Sequence, residues 1–80
     1  MNITLFITEN CLSCRRVENQ LKKLTMDRKD INLLIEDIRN VRSGGIIIAP
    51  AIFIGEELYA YGELDEEKFL YRLNLMRMGN

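Results

Sequence analysis

The spacing of apolar residues changes character along this chain, and each change predicts an element. Asn2 to Ile7 is β-rich and predicts a strand that runs out into the polar stretch Thr8-Glu9-Asn10. Cys14, Val17, Leu21 and Leu24 then recur at spacings of three, four and three, which is a helix period. Arg15, Arg16, Glu18, Asn19, Lys22 and Lys23 fill the polar side of that helix. Asn10 is its expected N-cap, so Cys11 falls in the first turn. Asp27 to Asp30 breaks the pattern, Ile31 to Glu36 reads as a second strand, and Asp37 to Gly45 reads as a connection with one or two helical turns, closed by Gly44-Gly45.

Ile46 to Ile54 is apolar throughout apart from Pro50 at its centre, and proline donates nothing to a strand ladder. The run therefore divides into a loop and a third strand, Ala51 to Ile54. Gly55-Glu56 predicts a tight turn, and Leu58 to Tyr61 the returning arm of a hairpin that ends at Gly62. Asp65 caps a last helix with Glu66 and Glu67 in its first turn, Arg72 and Arg77 towards its end, and Phe69, Leu70, Leu73 and Met76 as its apolar stripe. Met76 and Met78 read as helix core or terminus rather than as ligand contacts.

Composition narrows the class. Eighty residues with 48% hydrophobic content make one domain, residues 1–80, with one modest core. No stretch approaches the ~18 consecutive apolar residues of a membrane span, and no basic leader precedes the first strand. The expectation is a soluble, unexported, cytoplasmic monomer that engages neither membrane nor nucleic acid. Net charge is −1, and the basic positions Arg15, Arg16, Lys22, Lys23, Arg28 and Lys29 are interleaved with polar residues instead of forming a concentrated basic field.

The two cysteines stand together in Cys11-Leu12-Ser13-Cys14, so they do not form the framework of a secreted disulfide scaffold. The chain contains no histidine, which removes the commonest acid–base group near neutral pH and the commonest metal ligand. By itself the motif leaves three readings open: a redox dithiol, half of a metal site, or an incidental pair on a helix. A closed zinc site usually takes four protein ligands, and two thiols without histidine supply only part of one. Position favours the redox reading, because the motif opens the first helix directly after the first strand. In that first turn, unpaired backbone N–H groups and the positive end of the helix dipole stabilise the Cys11 thiolate. Cys14 shares a helical side with Val17 and Leu21, so it is the less exposed partner, close enough to form a disulfide with Cys11. Arg15 and Arg16 favour the thiolate further, and Glu9 opposes them.

With these landmarks in order, the chain resembles the thioredoxin and glutaredoxin superfamily over nearly its whole length. Cys11-Leu12-Ser13-Cys14 stands where that family has its redox motif, Gly45 to Ile54 resembles the loop and strand carrying its cis-proline, and Tyr61-Gly62-Glu63-Leu64-Asp65 resembles the glycine turn before its last helix. The resemblance implies an α/β thioredoxin-like fold, with a four-stranded mixed sheet in the order 2-1-3-4 flanked by helices. It also implies a cis Pro50 in van der Waals range of the Cys11 sulfur, although on frequency alone only ~5–6% of such bonds are cis. Ala49, Pro50 and Gly62 are then the substrate-binding positions, with the Ala49 backbone free to pair with an extended substrate.

The departures bear on the subfamily. Leu12-Ser13 replaces the Gly-Pro typical of thioredoxins and the Pro-Tyr typical of glutaredoxins. Leu5 stands where thioredoxins keep a buried carboxylate, Thr8 where many glutaredoxins have a lysine that meets glutathione, and Gly62-Glu63 where the glutathione turn has two glycines. Glu9, Glu63 and Asp65 are expected near the sulfur and discourage an anionic tripeptide. The expected activity is thiol–disulfide exchange with a partner protein, Cys11 attacking and Cys14 resolving, with no cofactor and with electrons from an unidentified reductase. Two alternatives stand beside it: a glutathione-dependent glutaredoxin, and a non-catalytic binding or metal-thiolate module on the same fold.

Overall fold

The computed structural model describes residues 1–40 and 48–78. Gly44-Gly45 and the start of the apolar run at Ile46 and Ile47 lie outside the described residues, as do the side chains of Met76, Arg77 and Met78. The elements follow in the order β1 (Asn2–Ile7), α1 (Leu12–Thr25), β2 (Asn32–Asp37), a 3-10 turn (Ile38–Asn40), β3 (Ala51–Ile54), β4 (Glu57–Tyr61) and α2 (Glu66–Met78). The strands make one sheet in the order β2-β1-β3-β4, with β1 parallel to β2 and antiparallel to β3. This is the mixed sheet that the family resemblance implies.

β1 organises the core through the two-residue alternation of a strand. Ile3 and Leu5 are wholly buried, and across the ladder they meet Ile54 and Ile52 of β3. Those four side chains join Val17 and Leu21 of α1 with Phe69 and Leu73 of α2 in one cluster, so both helices pack on the same layer of side chains. Phe6 points the other way and meets Phe53 edge to face, their ring centres 5.3 Å apart. Among the described residues no helix is long and apolar enough to cross a membrane.

Element ends differ from the sequence expectation in ways that hydrogen bonding explains. β2 begins at Asn32 rather than Ile31, because the Ile31 N–H donates to the Arg28 carbonyl in the preceding turn, whereas the Asn32 N–H donates to the Met1 carbonyl and opens the ladder. The hairpin turns on Gly55-Glu56 as expected, with Gly55 at φ 62°, the left-handed conformation that glycine adopts without steric cost. β4 starts one residue early, at Glu57, which pairs with Ile54. Asp65 caps α2 as expected, its Oδ1 accepting the Lys68 N–H at 3.1 Å. The α2 stripe is narrower than expected, since Phe69 and Leu73 are buried but Leu70 is 37% exposed.

Candidate active site

The parallel register sets Asp37 beside Ile7, and the antiparallel register sets Ala51 beside Phe6. The carboxyl end of β1 therefore delivers the chain to Cys11 between the end of β2 on one side and the start of β3, with Pro50, on the other. Cys11 and Cys14 are joined as a disulfide, their Cα atoms 5.2 Å apart.

The helix does not start as the sequence expectation had it. Asn10 is not the N-cap: it sits at φ 55°, in the left-handed region that asparagine tolerates better than most residues, and turns the chain off β1. Cys11 is itself the cap, in extended conformation (φ −112°, ψ 106°), and its sulfur accepts the Cys14 N–H at 3.0 Å. The Cys11 carbonyl accepts the Arg15 N–H at 3.2 Å, the first bond of the helical ladder. A sulfur at the cap position is held by a backbone donor at the positive end of α1, and this is a site that favours a thiolate. Cys11 is half-buried, while Cys14 is 2% exposed beside Val17 and Leu21, so the two sulfurs differ in access as their spacing predicts.

Of the expected substrate positions, Pro50 is buried and its peptide bond with Ala49 is cis. Gly62, at φ 74°, donates its N–H to the Pro50 carbonyl at 2.8 Å. This bond ties the turn before α2 to the proline loop at the cysteine end of the sheet. A second tie links the turn to the redox helix, where Arg16 Nη1 and Glu63 Oε1 stand 2.8 Å apart, and Gln20 donates to Glu66 at 2.9 Å one turn further along. Around the same end, Leu12 is 77% exposed, Ile48 58% and Tyr61 46%.

The three acidic residues expected near the sulfur are each engaged. Glu63 is paired with Arg16, and Glu9 with Arg39 at 2.8 Å. Arg39 also holds Asp37, receiving its carboxylate on both the side chain and the backbone N–H. These hydrogen bonds hold the Asp37 carboxyl below its ordinary range and push the Arg39 guanidinium further up. Asp65 is engaged as the α2 cap. Arg39 and Asp37 went unrecognised as site residues in the sequence. The signal lies in topology: the carboxyl ends of adjacent parallel strands share one end of a sheet, so the residues closing β2 flank the loop that leaves β1.

On the β2 side of the disulfide lies an open cavity of about 310 Å³, reached by both cysteines and by Glu9, Arg15, Glu18 and Asp37. Its lining mixes polar and apolar groups, and Leu12, Ile48 and Tyr61 are not among the residues that line it.

No family model and no curated protein sequence matches this chain. Comparison of folds does find similar structures. Chlamydomonas reinhardtii thioredoxin f2 superposes with a TM-score of 0.64 at 19% sequence identity, covering 99% of this chain and 80% of that one. The chain has the thioredoxin-like fold, as the order of its sheet and the place of its cysteines already indicate. Within that fold the Cys-x-x-Cys pair stands at the head of α1 and is closed into a disulfide.

Proposed function

We propose that the chain exchanges disulfides with a partner protein. The Cys11 thiolate attacks a substrate disulfide, a mixed disulfide forms on Cys11, and Cys14 attacks Cys11 Sγ to release the substrate thiol and close the Cys11–Cys14 bond. The observation that carries this reading is the unequal pair at the start of α1: a capping sulfur with a backbone donor at 3.0 Å, and a second sulfur 2% exposed behind it. Ala49, Pro50 and Gly62 are the proposed substrate contacts. The exposed apolar side chains of Leu12, Ile48 and Tyr61 at that end of the sheet suit a protein surface better than a small anion. No cofactor enters the reaction, and an unidentified reductase supplies the electrons. A cytoplasmic setting fits, since disulfides there are mostly transient and catalytic.

A second reading, glutathione as the reductant or substrate, gains from one observation. The ion pairs of Glu9 with Arg39 and Glu63 with Arg16 offset the negative charge that would repel an anionic tripeptide. Reducing the oxidised protein in parallel with glutathione and with a thioredoxin-reductase system separates the two.

The test of the dithiol mechanism uses both single variants. Cys14→Ser keeps the attacking sulfur and loses the resolver, so it accumulates a long-lived mixed disulfide with a disulfide-bearing partner. Cys11→Ser traps little, because the remaining sulfur is buried. Equal trapping by both variants, or none by either, refutes the mechanism.

A further inference from the structure

Resolution of the mixed disulfide requires Cys14 to attack as a thiolate, yet Cys14 is 2% exposed and sits among apolar neighbours that disfavour its charge. A proton acceptor must reach it. Leu5, wholly buried beneath the site in β1, offers none, and the chain has no histidine.

We infer that Glu18 is the base that takes the Cys14 proton across the cavity on the β2 side of the disulfide. Three carboxylates reach that cavity: Glu9, Glu18 and Asp37. Asp37 and Glu9 are both engaged by Arg39, and Asp37 is thereby made a weaker base. Glu18 lies one helical turn after Cys14 on the same side of α1, and the two residues line the same cavity. Its side chain is 23% exposed, against 67% for Glu9, so it is the more sheltered of the two glutamates. The remaining charges near it are Arg15, which lines the same cavity, and Lys22, whose Nζ stands 2.7 Å from Glu18 Oε2. The cavity has polar lining groups beside both residues and is large enough for water to relay the proton.

The step balances as follows. Cys14 Sγ–H gives its proton to Glu18 through water; the Cys14 thiolate attacks Cys11 Sγ, the Cys11–Cys14 bond forms, and the bond from Cys11 Sγ to the substrate sulfur breaks. The substrate leaves as a thiolate that takes a proton from solvent or from Glu18. Two electrons pass from the cysteine pair to the substrate disulfide.

This inference rests on the dithiol mechanism proposed above, and its test separates the two. Reduced full-length protein is mixed with dithiobis(nitrobenzoate), which releases one coloured thiolate on attack by Cys11 and a second on resolution by Cys14. Glu18→Gln is expected to leave the first phase within about twofold and to slow the second about tenfold near neutral pH, a modest share of what a positioned base supplies. The difference is expected to shrink as pH rises past the range in which the buried thiol ionises without help, at or above the ~8.5 of an ordinary cysteine. Lys22→Gln removes the same ion pair and is expected to keep a normal second phase. Identical second phases in Glu18→Gln and the unaltered protein overturn the assignment; so does slowing that persists at high pH or appears equally in Lys22→Gln, because either marks a structural effect. Absence of a second phase in the unaltered protein overturns the dithiol mechanism itself, and the role of Glu18 with it.

Discussion

The two helices begin alike and continue differently. α1 opens with the Cys11 sulfur accepting the N–H of Cys14 at 3.0 Å, and α2 opens with Asp65 Oδ1 accepting the N–H of Lys68 at 3.1 Å. In each case a side chain of the cap residue accepts a hydrogen bond from the N–H three positions on, at the positive end of the helix. At α2 the acceptor is a carboxylate, already an anion, and its role is structural. At α1 the acceptor is a sulfur whose ionised form belongs in the same place, so the cap geometry that stabilises one helix tunes the reactivity of the other. Beyond the caps, α1 buries one continuous stripe of Cys14, Val17, Leu21 and Thr25. α2 anchors itself through Phe69 and Leu73 while Leu70, Tyr71 and Leu75 stay exposed.

The largest effect should come from the α2 anchor. Phe69 is fully buried and meets Tyr59 edge to face at 5.7 Å, so Phe69→Ala is expected to cost about 3–5 kcal/mol in denaturant unfolding. A cost near that of an exposed substitution would mean that α2 is held by something other than this side chain.

The caps provide the next test. In a Cys14→Ser variant the remaining Cys11 thiol is expected to titrate below the ~8.5 of an ordinary cysteine, as thiolate absorbance against pH would show. In Cys11→Ser the buried Cys14 is expected to titrate at or above the ordinary value, since desolvation disfavours its charge. If Cys14 proves the more acidic thiol, the parallel between Cys11 and Asp65 fails and the two cysteine roles exchange. At the other cap, Asp65→Ala is expected to cost about 1 kcal/mol by thermal or denaturant unfolding, the usual value of an N-cap carboxylate. A neutral result would show that the α2 start is maintained by its packing alone.

Smallest of all should be the effect of the exposed arginine that joins β2 to the segment before Cys11. Arg39→Gln removes the partner that lowers the Asp37 pKa, so the Asp37 carboxyl should return upward towards 3.8, as a carboxyl-resolved NMR titration would report. The sign for stability follows from the lowered native value. What the pair contributes is present above the unfolded pKa near 3.8 and lost as pH falls through the native one, so variant and parent should converge in strong acid. An unchanged Asp37 titration would sharpen the contrast with the helix caps by removing Arg39 from the electrostatics of the site.

Much of this was legible along the chain. The period of Cys14, Val17 and Leu21 shows α1 and its buried side because a helix packed on one face must repeat apolar residues at that spacing. Pro50 marks the start of β3, and Gly55 and Gly62 mark turns that require positive φ. The cysteine pair announces its chemistry because a helix start and a three-residue spacing are both local properties. α2 was harder to read, since its sequence is apolar on more than one side and local spacing alone does not say which side finds the core.

What the sequence by itself determined is therefore the set of elements, the place of the two thiols at the head of α1, and which of them is buried. These depend on interactions within a few residues. Tertiary structure alone decided that Cys11, rather than Asn10, caps the helix, because asparagine suits both a cap and a left-handed turn and the exit from β1 selects the turn. It also decided that Arg39 gathers Asp37 and Glu9, that Arg16 reaches Glu63, and that Glu18 and Cys14 face one cavity on the β2 side. The physical reason is one of range: caps and periods act along a single turn, whereas these charges come from segments as much as 47 residues apart and meet only once the sheet has set the ends of its strands side by side.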